Sequence, residues 1–207
     1  MTDPLPKSIE IRGFRYFPRY LDQSMQESMV ADLRKIVQSV PLIDPVTPGG
    51  RRMSVRMTAA GRLGWMSDRR GYHYAPRHPS GTHWPMIPAA VLSIWHALTG
   101  LSREPDCCLL NFYGEGAKMG LHQDRDEGDF SFPVLSISLG DDALFRLGGS
   151  ERQDPTESLW LSSGDVLVMG GSARLAWHGI DRVRFRSSRL LPGGGRINLT
   201  LRVVTSA

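Results

Sequence analysis

Between Gly120 and Phe130 the chain reads GLHQDRDEGDF, which places His122, Asp124, Asp126 and Glu127 within six residues. A charged surface turn can have that composition, and so can half of a metal site. On an extended backbone, side chains two positions apart point the same way, so His122 and Asp124 would converge on one point. A second imidazole, His178 in ARLAWHGI, lies well downstream. Two histidines and one carboxylate hold non-haem Fe(II) on one face and leave neighbouring coordination positions open for substrate and dioxygen. Zinc accepts the same donors and can keep an open position for hydrolysis. An HxD pair by itself is more often a hydrogen-bonded surface pair, and a single later histidine more often a core residue bonded to backbone. Their combination with the polar strands below favours the metal.

The C-terminal run GRINLTLRVV alternates. As a strand it would send Arg196, Asn198, Thr200 and Arg202 to one side and Ile197, Leu199 and Leu201 to the other. Two guanidiniums and an amide are costly in a closed apolar core without anionic partners. That face is therefore either exposed or lines a cavity for something that carries carboxylates, which the guanidinium fork suits. In LLNFYG the same arithmetic puts Leu109, Asn111 and Tyr113 on one side. Zinc hydrolysis leaves Arg196 and Arg202 without a role; an oxygenase with an acidic cosubstrate does not.

These side chains need a scaffold that gathers distant strands. CLLNFYG, FPVLSISLG, ALFRLGG, LWLSSGDVLVMGG, ARLAWHGI and RINLTLRVV are short strand-like runs separated by Gly, Ser, Asp and Pro. No helical periodicity intervenes, which favours a sandwich or jelly roll over alternating strands and helices. Upstream, Met25, Met29, Leu33, Ile36 and Val37 recur at helical spacing after a candidate cap, Asp22, predicting a helix within 21–40. Pro88 opens a second, with Val91, Ile94, Trp95 and Leu98 on one face and Gly100 at its end. Residues 53–88, rich in Gly, Pro, Tyr, Trp and His, show no regular amphipathic element, yet are too aromatic for a passive linker. The expected fold is α+β, mainly β: a double-stranded β-helix (jelly roll) braced by N-terminal helices.

The chain has 207 residues, 41% of them hydrophobic and 22% charged. That suits one sizeable core and excludes a largely disordered chain. No apolar run has membrane-spanning length, and MTDPLPKSIEI lacks the pattern of a secretory leader. Adjacent Cys107 and Cys108 do not form a disulfide framework, so a reducing, cytoplasmic setting is the simpler expectation. The net charge is only +4, but arginines cluster at 51, 52 and 56, at 69 and 70, and at 182, 184, 186 and 189. Such patches can contact phosphates, and a solvated surface explains them about equally well.

The segments GRLGW, GYHYAP, NFYGEGAKMGLHQDRDE, SISLG, GDVLVMGGSARLAWHGI and GGRINLTLR run in the order found in the AlkB family of Fe(II)- and 2-oxoglutarate-dependent dioxygenases, which dealkylate nucleic acids. The chain resembles that family from about Met53 to Arg202, most closely its bacterial alkylated-DNA repair branch. HxD…H is shared by many oxygenases. The block NxYxxGAKxxxHQDxDE, followed by GGxxRLxxHGI and RxNLTxR, is far more specific.

The resemblance implies roles. His122, Asp124 and His178 would ligate Fe(II). Arg196 would pair with the distal carboxylate of 2-oxoglutarate with help from Tyr113, while Arg202 and Asn111 lie near its metal-chelating end and Asn198 supports the pocket. Trp65 and Tyr72 would belong to a lid over 53–88 that receives nucleic acid, above a catalytic core spanning 105–204 of a single 1–207 domain. Asp126, with Glu127 nearby, would face the exocyclic amine of the base, and Arg152 would sit at the base pocket. The implied reaction uses Fe(II), 2-oxoglutarate and dioxygen to demethylate bases of the 1-methyladenine and 3-methylcytosine type. Its substrate would be single-stranded or locally opened DNA, with RNA as the alternative, and the chain reads as a monomer without an obligate protein partner. Trp177 stands where the bacterial pattern has tyrosine, Met119-Gly120 where it has Leu-Ser, and Phe112 where a basic residue is usual; the 181–195 segment diverges more. The alternatives are a same-fold dioxygenase for RNA, protein or a small molecule, and a non-catalytic binding module, for which an intact HxD…H would serve no purpose.

Overall fold

The computed structural model describes residues 7–205. The first six, part of the stretch read above for a leader, lie outside the described residues. The chain opens with a hairpin, β1 (Ile9–Ile11) and β2 (Phe14–Phe17), whose turn puts Arg12 and Gly13 at positive φ. Helix α1 (Gln23–Ser39) follows. The Asp22 carboxylate accepts from the Met25 amide at 2.8 Å and satisfies one of the free donors of the first turn. The buried stripe differs from the expected one at its start. Met25 is exposed, and Gln26 packs inward instead. The Gln26 amide donates to the Leu21 carbonyl and accepts from Ser163 Oγ, so its polar end is satisfied while its stem packs.

The 53–88 region is more regular than its composition suggests. It holds β3 (Val55–Gly61), then β4 (Gly64–Asp68) and β5 (Gly71–Ala75), which pair as a separate hairpin. β3 belongs to the scaffold, pairing residue for residue with β6 (Cys107–Tyr113). Sequence alone conceals this because β3 is buried on both faces and shows no alternation. Helix α2 (Ala89–Thr99) begins after Pro88 and ends where Gly100 takes the left-handed conformation at φ 70°.

Then come β7 (Met119–His122), β8 (Val134–Gly140), β9 (Ala143–Leu147), β10 (Glu157–Leu161), β11 (Val166–Met169), β12 (His178–Val183) and β13 (Arg196–Arg202). The run ARLAWHGI is strand only from His178; a short 3-10 turn, Gly171–Ala173, precedes it. Seven strands form one sheet in the order β1-β2-β11-β8-β13-β6-β3, and four form a second, β10-β9-β12-β7. All the pairings are antiparallel, and the two sheets make the jelly roll. The helices cover the outer face of the large sheet, where Met29, Leu33, Trp95 and Leu98 pack with Leu110, Ile137, Leu199 and Leu201. Between the sheets, Met57, Leu109, Phe145, Leu167 and Ile180 form a second core. Every residue of β13 is consequently buried, polar and apolar alike. Among the described residues no helix is long and apolar enough to cross a membrane.

Candidate active site

The inter-sheet core opens into a cavity of about 450 Å³. His122, at the end of β7, and His178, at the start of β12, are direct cross-strand partners. Their ring centroids lie 4.5 Å apart, and Asp124 projects from the loop just beyond β7. One donor atom from each of the three falls within 4.8 Å of the others. His122 Nδ1 lies 3.0 Å from the Gly120 carbonyl and His178 Nδ1 lies 2.9 Å from that of Ala176. Because a carbonyl only accepts, both Nδ1 atoms carry the proton and both Nε2 lone pairs face the Asp124 carboxylate.

The electrostatics keep Asp124 and His178 in their metal-binding forms. Burial alone would push the Asp124 carboxyl up, but Arg202 at 2.6 Å, with the two histidines and Arg174, holds it down to about 2. Burial, reinforced by His122, lowers His178 to about 4, so its ring is neutral at neutral pH.

β13 and β6 build the closed end. Arg196, only 1% exposed, packs over the Tyr113 ring at 5.2 Å and donates from one Nη to Ser138 Oγ. Its Nε and other Nη have no partner. Asn198 is fully engaged: its amide donates to Ser136 Oγ and the Ile137 carbonyl, and its oxygen accepts from Asn111 and Thr200. The buried side-chain polar atoms without a hydrogen-bond partner, among the described residues, are Asn111 Oδ1, Asp124 Oδ2, Arg196 Nε and Nη1, and Arg202 Nε, the last only 3.6 Å from the Glu127 carboxylate. All belong to residues that line this one cavity. An unpartnered buried donor or acceptor costs about 1–3 kcal/mol, more when charged, so the site is incomplete without a ligand. An open Asp oxygen beside two imidazole lone pairs fits a divalent metal, and the free side of the Arg196 fork fits a carboxylate. The donor set therefore suits Fe(II) together with 2-oxoglutarate.

At the mouth, Trp65 on β4 and Tyr72 on β5 stack at 5.3 Å with ring planes 22° apart. Trp65 Nε1 donates to Asp126 at 2.8 Å. Arg152 lies over Trp177, its guanidinium carbon 5.1 Å from the ring centroid. All four sequence-selected mouth residues line the cavity. Glu127 does not, contrary to the expectation that it lies beside the base. It is 6% exposed, pairs with Arg174 at 3.0 Å and accepts from the Tyr74 hydroxyl. A buried carboxylate needs such partners, and they turn it away from the cavity. Tyr74 and Arg174 were not singled out in the sequence, although both sit inside the motifs quoted above. Phe145, which tilts against His178 at 5.7 Å, had no sequence signal beyond an ordinary apolar strand position.

A protein-family model described as the 2OG-Fe(II) oxygenase superfamily matches residues 13–202. The chain is 54% identical over 198 residues to an alpha-ketoglutarate-dependent dioxygenase AlkB homolog of Caulobacter vibrioides, covering 95% of this chain and 90% of that protein. It is 42% identical over 206 residues to alpha-ketoglutarate-dependent dioxygenase AlkB of Salmonella typhimurium, covering 97% and 92%. This chain belongs to the AlkB family of 2-oxoglutarate- and Fe(II)-dependent dioxygenases. The solved structure of OsALKBH1 superposes with a TM-score of 0.79 at 30% identity, covering 96% of this chain and 99% of that one. Family membership supplies Fe(II), 2-oxoglutarate as cosubstrate and dioxygen as oxidant, and the donor set of His122, Asp124 and His178 fits the iron.

Proposed function

We propose that this AlkB-family dioxygenase removes N-methyl groups from bases of the 1-methyladenine and 3-methylcytosine type in DNA. The observation that carries the reading is the mouth of the cavity, where a carboxylate, Asp126, accepts from the indole of Trp65, which stacks on Tyr72, in the same cavity as the metal donors. These lesions make the base cationic, and a carboxylate with aromatic faces is the matching environment. The methylated atom is hidden in a duplex, so the base must arrive on a single strand or flip out. Trp65 and Tyr72 offer stacking surfaces that do not discriminate by sequence. Arg51, Arg69 and Arg70 are exposed beside the hairpin, where a phosphate backbone would run.

Fe(II), when bound with 2-oxoglutarate and dioxygen, supplies the oxidation that hydroxylates the N-methyl carbon, yielding succinate and CO2; the resulting hemiaminal releases formaldehyde. The chain's own contribution is placement. Arg196 anchors the distal carboxylate of the cosubstrate with Tyr113 beside it, Asn111 and Arg202 flank the chelating end, and Asn198 locks the wall behind them. Asp126 and Arg152 orient the base over the metal. The hairpin of β4 and β5 is the lid within 53–88, and the jelly roll of 105–204 is the catalytic core. The free, buried thiols of Cys107 and Cys108 are in keeping with a reducing cytoplasm, where the chain acts as a monomer.

The deciding experiment supplies Fe(II), 2-oxoglutarate and air to the protein with a single-stranded DNA containing 1-methyladenine. Formaldehyde and restored adenine in equal amounts are expected. Turnover on the matching RNA alone would move the substrate to RNA, and no turnover on either would overturn the nucleobase reading.

A further inference from the structure

Adjacent acids grip adjacent parts of the lid. Trp65 and Tyr74 are cross-strand partners in the β4–β5 hairpin. Asp126 accepts from Trp65 inside the cavity, whereas Glu127 accepts from Tyr74 behind its wall. From Glu127 the bonds continue. Its other oxygen pairs with Arg174 at 3.0 Å, and Arg174 donates at 2.5 Å to the backbone carbonyl of Asp124 and at 2.8 Å to that of Phe132. On the other side Tyr74 accepts from Arg202 at 3.3 Å, and Arg202 donates at 2.6 Å to Asp124 Oδ1. The circuit closes: Asp124 carboxylate, Arg202, Tyr74, Glu127, Arg174, Asp124 carbonyl. Glu127, Arg174, Arg202 and Asp124 are each about nine-tenths buried or more. Their two positive and two negative charges balance within one buried cluster.

From this closed circuit we infer that Glu127 and Arg174 are positioning residues that hold Asp124 for the metal and, through Tyr74, couple the metal centre to the lid. Asp124 is gripped at both ends, so its free oxygen is aimed by hydrogen bonds that converge on Glu127. Removing the Glu127 charge leaves two guanidiniums facing an incoming cation with one carboxylate fewer to screen them. Removing the Tyr74 hydroxyl leaves Asp124 paired with Arg202 but cuts the lid out of the circuit. The inference rests on the metal donors and not on which base is repaired, so failure of the substrate reading would leave it standing.

The test uses the full chain and two readouts that need no turnover. The first is Co(II) affinity from its visible absorption. Outer-sphere partners of metal ligands are typically worth 10–100-fold in affinity, so Glu127→Gln and Arg174→Lys should weaken Co(II) by roughly 10-fold or more. Trp65→Phe, which breaks only the cavity-side contact, should stay within about 2-fold, since it lies outside the charged circuit. The second readout is tryptic cleavage at Arg69 and Arg70, exposed around the hairpin turn. Saturating Co(II) should slow that cleavage in the unmodified protein and not in Tyr74→Phe. Melting temperatures distinguish a merely structural role, which would lower stability and leave both readouts unchanged. Wild-type Co(II) affinity in Glu127→Gln and Arg174→Lys would overturn the positioning role. Equal metal protection of the hairpin in Tyr74→Phe and the unmodified protein, or none in either, would overturn the coupling. Should Glu127→Gln fail to fold, Arg174→Lys reports the first readout and Tyr74→Phe the second.

Discussion

The two ends of the cavity are built on opposite terms. At the closed end, Arg196, Asn198, Asn111 and Tyr113 come from the paired strands β13 and β6, all are buried, and several of their polar atoms lack partners. At the mouth, Trp65, Tyr72, Asp126 and Arg152 come from a two-stranded hairpin and from loops. Trp65 and Asp126 satisfy one another, Tyr72 stacks on Trp65, and Arg152 rests on Trp177. An unsatisfied rigid end demands one ligand of one charge. A self-satisfied end at the surface can exchange its contacts for those of a base, and the exchange costs little because each partner is either replaced or returned to water.

Both ends share the metal site, and the largest effect is expected there. Asp124→Ala should abolish succinate formation and Co(II) binding together, because it removes a ligand and strands Arg202 without its 2.6 Å partner. At the closed end, Arg196→Met should raise the 2-oxoglutarate KM by roughly 10–100-fold, the loss of about 1.5–3 kcal/mol in charge-assisted hydrogen bonds. The same change should raise the melting temperature of the ligand-free chain, since burial already depresses the guanidinium's pKa and, among the described residues, no carboxylate forms an ion pair with it. Calorimetry without cosubstrate checks the sign; a lower melting temperature would contradict the picture of an unsatisfied end.

At the mouth, Trp65→Ala should weaken a single-stranded oligonucleotide by about 10-fold, near 1–2 kcal/mol for one lost stacking surface, with the 2-oxoglutarate KM unchanged. A change in both would show that the two ends are not separable.

The smallest effect lies at the hairpin's root, where Asp106 accepts from Arg62 and Arg103 and from the amides of Val204 and Thr205. Burial pushes this carboxyl up, but those donors outweigh it and hold it at about 2, below its ordinary 3.8. A depressed carboxyl stabilises the fold fully above its unfolded pKa and loses that stabilisation as pH falls toward the folded value. Asp106→Asn should therefore cost about 1–2 kcal/mol at neutral pH, discounted because Arg62 is largely solvated. The difference from the unmodified protein should shrink as pH falls from about 4 to 2, as urea titrations at several pH values would show.

Much of this was legible in the chain itself, for local reasons. The two-residue period placed Arg196, Asn198, Thr200 and Arg202 on one face, and all four line the cavity. The HxD spacing brought His122 and Asp124 together, and Asp22 and Gly100 mark helix ends by chemistry carried in their own side chains or lack of one. What depended on partners distant in sequence was hidden. β3 is a scaffold strand only because β6 pairs with it, and Gln26 displaces Met25 from the buried stripe only because Leu21 and Ser163 satisfy its amide. Asp126 and Glu127 are adjacent acids that sequence treats alike. The tertiary structure separates them, since Trp65 waits on one side and Arg174, Arg202 and Tyr74 on the other, and a buried carboxylate goes where its charge is neutralised.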